Sequence, residues 1–187
     1  EYRFTGRPLA SLQGLDDHNR TIYIGTFSKV LFPALRLGYL IVPEALVDAF
    51  RAMRRYVDGH SSGSEQRVLA DFMADGHLAR HIRRMRMLYA ERRQSLIDAV
   101  RILPMEIVSP DTGMHLVGWL PDGMNDQVAA RQAIRHHVHV LAISKLAISA
   151  ASRSGLVLGY AAVNQAEIQI GVQRLALALD EVRQMRA

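Results

Sequence analysis

The segment 77–102 constrains this chain's fold more than any other. Leu78, Ile82, Met85, Leu88, Leu96 and Ala99 recur at helical spacing with arginines between them, and Leu103-Pro104 stops the pattern. A long amphipathic helix in the middle of 187 residues needs elements on both sides to pack against. Both flanks supply them by alternating strand-like and helix-like stretches. Before it, Thr21-Ile22-Tyr23-Ile24-Gly25 reads as a short buried strand and 36–42 as a second. Pro43-Glu44 opens a helix to about Tyr56, with Leu46, Ala49, Phe50 and Met53 on one face. A further helix runs from near Ser64 to Ala74, ended by Asp75-Gly76. After it, strands are predicted at 107–108, 114–120, 138–143 and 156–163, and a helix over 125–136. Asn164-Gln165-Ala166-Glu167 resembles a capping box opening a last helix through Leu179. The alternation predicts an α/β or α+β chain whose long helix joins two lobes.

Composition removes several chemistries. There is no cysteine, which excludes disulfides, Cys-ligated zinc, iron–sulfur clusters and a thiol nucleophile. No apolar run approaches the ~18–20 residues of a membrane span. Glu1-Tyr2-Arg3-Phe4 carries no basic n-region or apolar h-region, so no signal peptide is expected there. Of 23 basic residues, all but Lys29 and Lys145 are arginine, so chemistry that needs a lysine amine has two candidates.

One of them sits in an informative stretch, Gly25-Thr26-Phe27-Ser28-Lys29-Val30-Leu31-Phe32-Pro33-Ala34-Leu35-Arg36-Leu37-Gly38-Tyr39. A strand delivers two hydroxyls and a lysine at its end, and an arginine returns seven residues later. In extended geometry Thr26 and Ser28 face the same side. Arg36 supplies a rigid fork of donors matched to phosphate oxygens. A lysine held in an apolar or cationic setting is a neutral amine able to form an imine with an aldehyde. Hydroxyls, arginine and lysine together suit pyridoxal phosphate. A buried strand with a lysine at its mouth fits the same residues.

The segment resembles the cofactor-lysine region of fold type I pyridoxal-phosphate enzymes. In detail it is similar to the class I/II aminotransferase-like part of MocR-type regulators, a GntR-family branch that carries such a region behind a winged helix-turn-helix. The resemblance extends to Arg3-Phe4, Gly6-Arg7-Pro8-Leu9, Leu35-Arg36-Leu37-Gly38-Tyr39, Gln66, the run 77–86 and Gly113-Met114-His115-Leu116. It implies that Lys29 is the catalytic, internal-aldimine lysine and proton shuttle. It also implies that Ser28, Arg36 and Thr26 bind the phosphate, and that the cofactor is the electron sink. The implied architecture is α/β of the fold type I kind. Residues 1–75 would be the C-terminal portion of the large cofactor domain, and 76–187 the linking helix and an α+β small domain.

In that family an Asp that pairs with the pyridine nitrogen, and a Tyr on the phenolic oxygen, lie just upstream of the Arg3 region. Both fall before Glu1, so little or no transaminase turnover is expected of the 187-residue chain alone. Aminotransferases usually bind the substrate α-carboxylate with an arginine on a late strand. Here Ser154-Gly155-Leu156-Val157-Leu158-Gly159-Tyr160 places Val157 there, with Arg153 ahead of the strand. That leans toward a sensor or an unusual amine ligand.

The remaining motifs read as structural. Arg80, Arg83, Arg84, Arg86, Arg92 and Arg93 form a basic band, with Arg51, Arg54 and Arg55 on an earlier helix. No recognition-helix signature accompanies them, so a solvated face is expected. His77 and His81 have i, i+4 metal-ligand spacing but no third ligand, and no metal is expected. Met85, Met87, Met105 and Met114 read as core fillers, and Lys145 as a surface residue. The expected partners are a small amino compound and a second copy in a homodimer. DNA is expected only through a domain outside this chain, no membrane is involved, and the location is cytoplasmic. A plain class I/II aminotransferase and a non-catalytic sensing and dimerisation module are the alternatives.

Overall fold

A computed structural model describes residues 2–60, 62–149 and 153–185. The chain divides into two compact units, one of Arg7–Arg84 and one of Tyr2–Gly6 with the chain from Met85 onward.

The first unit is built on β1 (Tyr23–Thr26) and β2 (Gly38–Ile41). They pair antiparallel with Tyr23 opposite Ile41 and Thr26 opposite Gly38. Gly25 is in mid-strand because its neighbour needs the space: a Cβ there would lie 2.2 Å from the Tyr39 ring. That ring also approaches Tyr23 and Phe27, at centroid separations of 6.0 and 5.5 Å. Gly25→Ala is therefore expected to destabilise the unit by about 1–3 kcal/mol through overpacking. A thermal melt of Gly25→Ala with and without Tyr39→Ala checks this, because the smaller neighbour should absorb most of the added cost.

Helices α1 (Val47–Val57), α2 (Gly63–Ala74) and the start of α3 (His77–Ala99) complete the first unit. Gly76 takes φ +73° and its N–H bonds the Met73 carbonyl at 3.0 Å, the left-handed stop that Asp75-Gly76 predicts. The expected apolar face of α1 does not become core. No residue of α1 is buried, and Met53 is 60% exposed. An amphipathic helix buries its stripe only where a second layer meets it.

The second unit holds a four-stranded antiparallel sheet, in the order β3 (Glu106–Val108), β4 (His115–Trp119), β6 (Gly155–Gly159), β5 (Leu141–Ala142). Leu116, Leu156 and Leu158 pack with Leu175 and Leu179 of α5 (Gln165–Gln184), Ala129 and Ala133 of α4 (Asp126–Arg135), and Leu96. The expected capping box is present: Glu167 N–H donates to Asn164 Oδ1 at 3.0 Å, and Asn164 N–H donates to Glu167 Oε2 at 2.7 Å. Asn125 caps α4, its Oδ1 accepting from the Gln127 and Val128 N–H groups at 3.0 Å each.

Two local expectations are corrected. The strand predicted over 138–143 shrinks to Leu141–Ala142. His137 has φ +59° before it, and Ile143–Leu146 turns into a 3-10 helix after it. Met87 is 68% exposed and is not a core filler.

Asp126 explains that turn. It is 1% exposed, and its carboxylate accepts from Ser144 Oγ at 2.7 Å, Ser144 N–H at 2.9 Å and Gly155 N–H at 3.3 Å. Burial pushes its pKa up, but the bonds from Ser144, Gly155 and Gln127 outweigh burial and hold it below the ordinary carboxylate value. Tyr160, fully buried, donates its hydroxyl to the Gly113 carbonyl at 2.9 Å, and burial raises its pKa. The residues at the chain's start join this unit: Phe4 N–H bonds Asp111 O at 2.8 Å, and Gly113 N–H bonds Tyr2 O at 3.1 Å. Among the described residues no helix is long and apolar enough to cross a membrane.

Candidate functional site

The strand β1 ends at Thr26, and the chain then closes into a tight turn. The Phe27 carbonyl accepts from the N–H groups of Val30 at 3.2 Å and Leu31 at 2.8 Å. Ser28 and Lys29 ride on that turn, so the extended geometry expected for Thr26 and Ser28 is not what forms. Thr26 Oγ1 instead accepts the Ser28 N–H at 3.2 Å, a local side-chain bond that competes with strand continuation. Phe27 N–H donates to Leu37 O at 3.1 Å and ties the outgoing and returning chains. The buried Val30, 7% exposed, anchors the turn, while Lys29 and Thr26 stay exposed and Ser28 is half-buried.

The chain returns through a short 3-10 turn at Pro33–Leu35, with Pro at its first position. Arg36 closes it with φ 49° and ψ 31°, a left-handed conformation for a residue with a side chain. Such a conformation costs roughly 1–2 kcal/mol, and residues held this way cluster at functional sites. Two residues later Gly38 pairs with Thr26, so the strand register holds both ends of the Thr26–Arg36 loop together.

The four expected site residues do not line one cavity. Thr26 lines a cleft of 530 Å³ with Val30, Tyr39 and Leu78. Arg36 lines one of 860 Å³ with Phe32, Tyr39 and Gln66. The two clefts share Phe27, Tyr39 and Met73 as walls. The Ser28 hydroxyl, the Lys29 amine and the Arg36 guanidinium make no hydrogen bond or ion pair among the described residues. Three unengaged groups on one strand–turn–strand unit combine a hydroxyl and a guanidinium suited to phosphate oxygens with a primary amine suited to an aldehyde carbon. A pyridoxal phosphate fits the chemistry of those groups.

Sequence reasoning missed His81. It reads as a helix-surface residue, but its Nε2–H donates to the Val30 carbonyl at 2.9 Å across 51 residues. His77, its i, i+4 neighbour, stacks on Phe72 at 5.4 Å and accepts from Arg80 at 3.3 Å through Nδ1. The two rings therefore serve separate contacts. The second lysine sits differently from the first. Lys145 lies in the Ile143–Leu146 turn, and its preceding Ser144 is committed to Asp126. On β6, Val157 faces Val117 and Leu141 across the ladder. Arg153 precedes the strand and is occupied: it pairs with Glu106 at 2.5 Å and lies 5.3 Å over the Trp119 ring.

Known proteins bear on this arrangement. The chain is 38% identical over 181 residues to the probable rhizopine catabolism regulatory protein MocR of Rhizobium meliloti, covering 95% of this chain and 37% of that protein. It is 35% identical over 185 residues to the uncharacterized HTH-type transcriptional regulator YhdI of Bacillus subtilis, covering 95% and 39%. The chain thus spans less than half the length of these curated relatives. Among solved structures, it superposes on LysN, the α-aminoadipate aminotransferase of Thermus thermophilus complexed with N-(5'-phosphopyridoxyl)-L-leucine. The TM-score is 0.87 at 27% identity, over 98% of this chain and 49% of that one. The MocR-type resemblance and the fold type I expectation both hold. The family described as Aminotransferase class I and II matches residues 3–175, nearly the whole chain, and it is to this family that the chain belongs.

Proposed function

We propose that this chain is the pyridoxal-phosphate-binding part of an aminotransferase-like domain in a MocR-type transcriptional regulator. The observation that carries the reading is the set of unengaged groups at Ser28, Lys29 and Arg36, held on one loop by the β1–β2 register. Lys29 would hold the cofactor covalently at its aldehyde carbon and, once displaced by the incoming amine, would move a proton between that carbon and the ligand's Cα. Ser28 and Arg36 would hold the phosphate with Thr26, whose Oγ1 also braces the start of the turn by accepting the Ser28 N–H. When bound, the cofactor supplies the electron sink. Residues 1–75 act as the later part of the large cofactor domain, and 76–187 as the linking helix and small domain. The protein works in the cytoplasm as a homodimer and reaches DNA through a separate winged-helix region.

The ligand is a small amino compound. Val157 on β6 offers no charge to an α-carboxylate, and the Arg153 guanidinium is held by Glu106 and Trp119. That favours recognition of an amine over metabolic turnover of ordinary amino acids. Adding candidate amines to the cofactor-loaded full-length protein separates the readings. A shifted cofactor absorbance without keto product supports a sensor, and stoichiometric keto product under turnover supports an aminotransferase. A winged helix encoded upstream of Glu1 supports the regulator.

Arg36 gives a sharper check. Arg36→Gly relieves the left-handed strain of about 1–2 kcal/mol, so the unloaded fold is expected to melt no lower than the parent. Losing a bidentate charged pair to phosphate should weaken cofactor binding about 100-fold, or roughly 2.7 kcal/mol. Arg36→Lys keeps the charge but not the fork and should fall in between. Calorimetry and a cofactor titration measure the two effects. Equal cofactor affinity in Arg36→Gly removes Arg36 from the phosphate site.

A further inference from the structure

The turn that carries Lys29 is fixed on its leading side by the strand ladder and by Phe27 N–H to Leu37 O at 3.1 Å. Three residues after Val30 comes Pro33, which carries no N–H, so the Val30 carbonyl takes no i, i+3 backbone bond. The His81 imidazole reaches that carbonyl, its Nε2 at 2.9 Å. A carbonyl only accepts, so Nε2 carries the proton whether the ring is neutral or charged.

The imidazole stands on a fixed platform. His81 is half-buried on the second turn of α3. The first turn of that helix is braced against α2 by the His77–Phe72 stack at 5.4 Å, and Arg80 donates to His77 Nδ1 at 3.3 Å. The bond to Val30 therefore transmits the position of α3 to the residue next to Lys29. Leu78 and Ile82, on either side of His81 in the chain, line the same cleft as Thr26 and Val30.

We propose that His81 is a positioning residue for the cofactor lysine: its Nε2–H bond to the Val30 carbonyl fixes the turn that aims the Lys29 amine. This rests on the reading of Lys29 as the cofactor anchor. Without the bond the turn stays formed through Phe27 but fluctuates, and the amine spends less time where an aldehyde carbon can meet it. His81 does not touch the reacting atoms and acts only through the backbone.

The test uses the full-length protein with His81→Ala and His81→Gln, the glutamine amide preserving an N–H donor of similar reach. The first readout needs no cofactor. Hydrogen exchange at the Val30 and Leu31 amides should quicken about tenfold in His81→Ala, the equivalent of one lost hydrogen bond. The second is the rate at which added pyridoxal phosphate is captured on Lys29, followed by absorbance and by peptide mapping after borohydride reduction. It should slow several-fold in His81→Ala, and His81→Gln should restore both readouts. Unchanged exchange in His81→Ala overturns the proposal while Lys29 labelling in the parent leaves the functional reading intact. Failure of His81→Gln to restore either readout also overturns it. Absence of label on Lys29 in the parent protein sinks the functional reading itself and the positioning role with it, whatever the exchange data show.

Discussion

Borohydride reduction of the cofactor-loaded full-length protein is expected to label Lys29, and Lys29→Ala to abolish that label completely. Within this chain the choice lies between two lysine amines, and their surroundings differ. Lys29 stands exposed on a turn beside the unengaged Ser28 hydroxyl, in the same loop as Arg36, whose two ends the Thr26–Gly38 pairing joins. Lys145 follows a serine whose hydroxyl and N–H are both spent on Asp126, and no arginine lies seven residues on. Lys145→Ala should leave labelling at the parental level. Phosphate contacts at Ser28 and Arg36 survive in Lys29→Ala, so that variant should still bind the cofactor weakly and reversibly, released by dialysis. Label on the Lys145 peptide, or a Lys29→Ala protein that traps cofactor as the parent does, contradicts the assignment.

The second large effect is on stability. Asp126→Ala leaves the Ser144 hydroxyl, the Ser144 N–H and the Gly155 N–H without their acceptor in a buried setting. Orphaned buried donors and a broken charged network together cost about 3–5 kcal/mol, equivalent to a fall of at least roughly 12 °C in the melting of a unit this size. Asp126→Asn keeps the shape and one acceptor, and should lose about half as much. The pH dependence has a definite sign. The folded carboxyl titrates below its ordinary value of 3.8, so its stabilisation is fully present above that value and drains away as pH falls through the folded-state pKa. Melting followed from neutral to acid pH should show the parent losing stability toward the acid end. Asp126→Asn should lack Asp126's share of that loss. Parallel acid limbs in the two proteins would remove the carboxylate from the account.

Local rules in the sequence were decisive where their causes are local. The Asn164–Glu167 box and the Gly76 stop each depend on atoms within one helical turn, and each forms as read. The lysine segment is legible for the same reason, since strand, turn and arginine lie within fifteen residues. What failed depended on distant partners. The periodicity of α1 identifies an apolar face but cannot say whether a second layer covers it. The 138–143 strand is cut short because Ser144 answers to Asp126, eighteen residues away. Thr26 and Ser28 alternate in the sequence as a strand would, yet the Thr26 hydroxyl turns onto the Ser28 N–H and ends it. His81 shows only its i, i+4 spacing to His77, while the bond that gives it a role spans 51 residues.

The left-handed backbone at residue 36 also bears on related genes. In the left-handed region glycine and asparagine are the cheap choices, and arginine is a costly one. On the proposed role, the guanidinium's hold on the phosphate offsets that cost. A descendant gene that stopped binding the anion would lose that benefit while keeping the strain, and position 36 would be among the first to relax toward glycine or asparagine. On that proposed role, the residue found there in a related gene would indicate whether its loop still holds a phosphate.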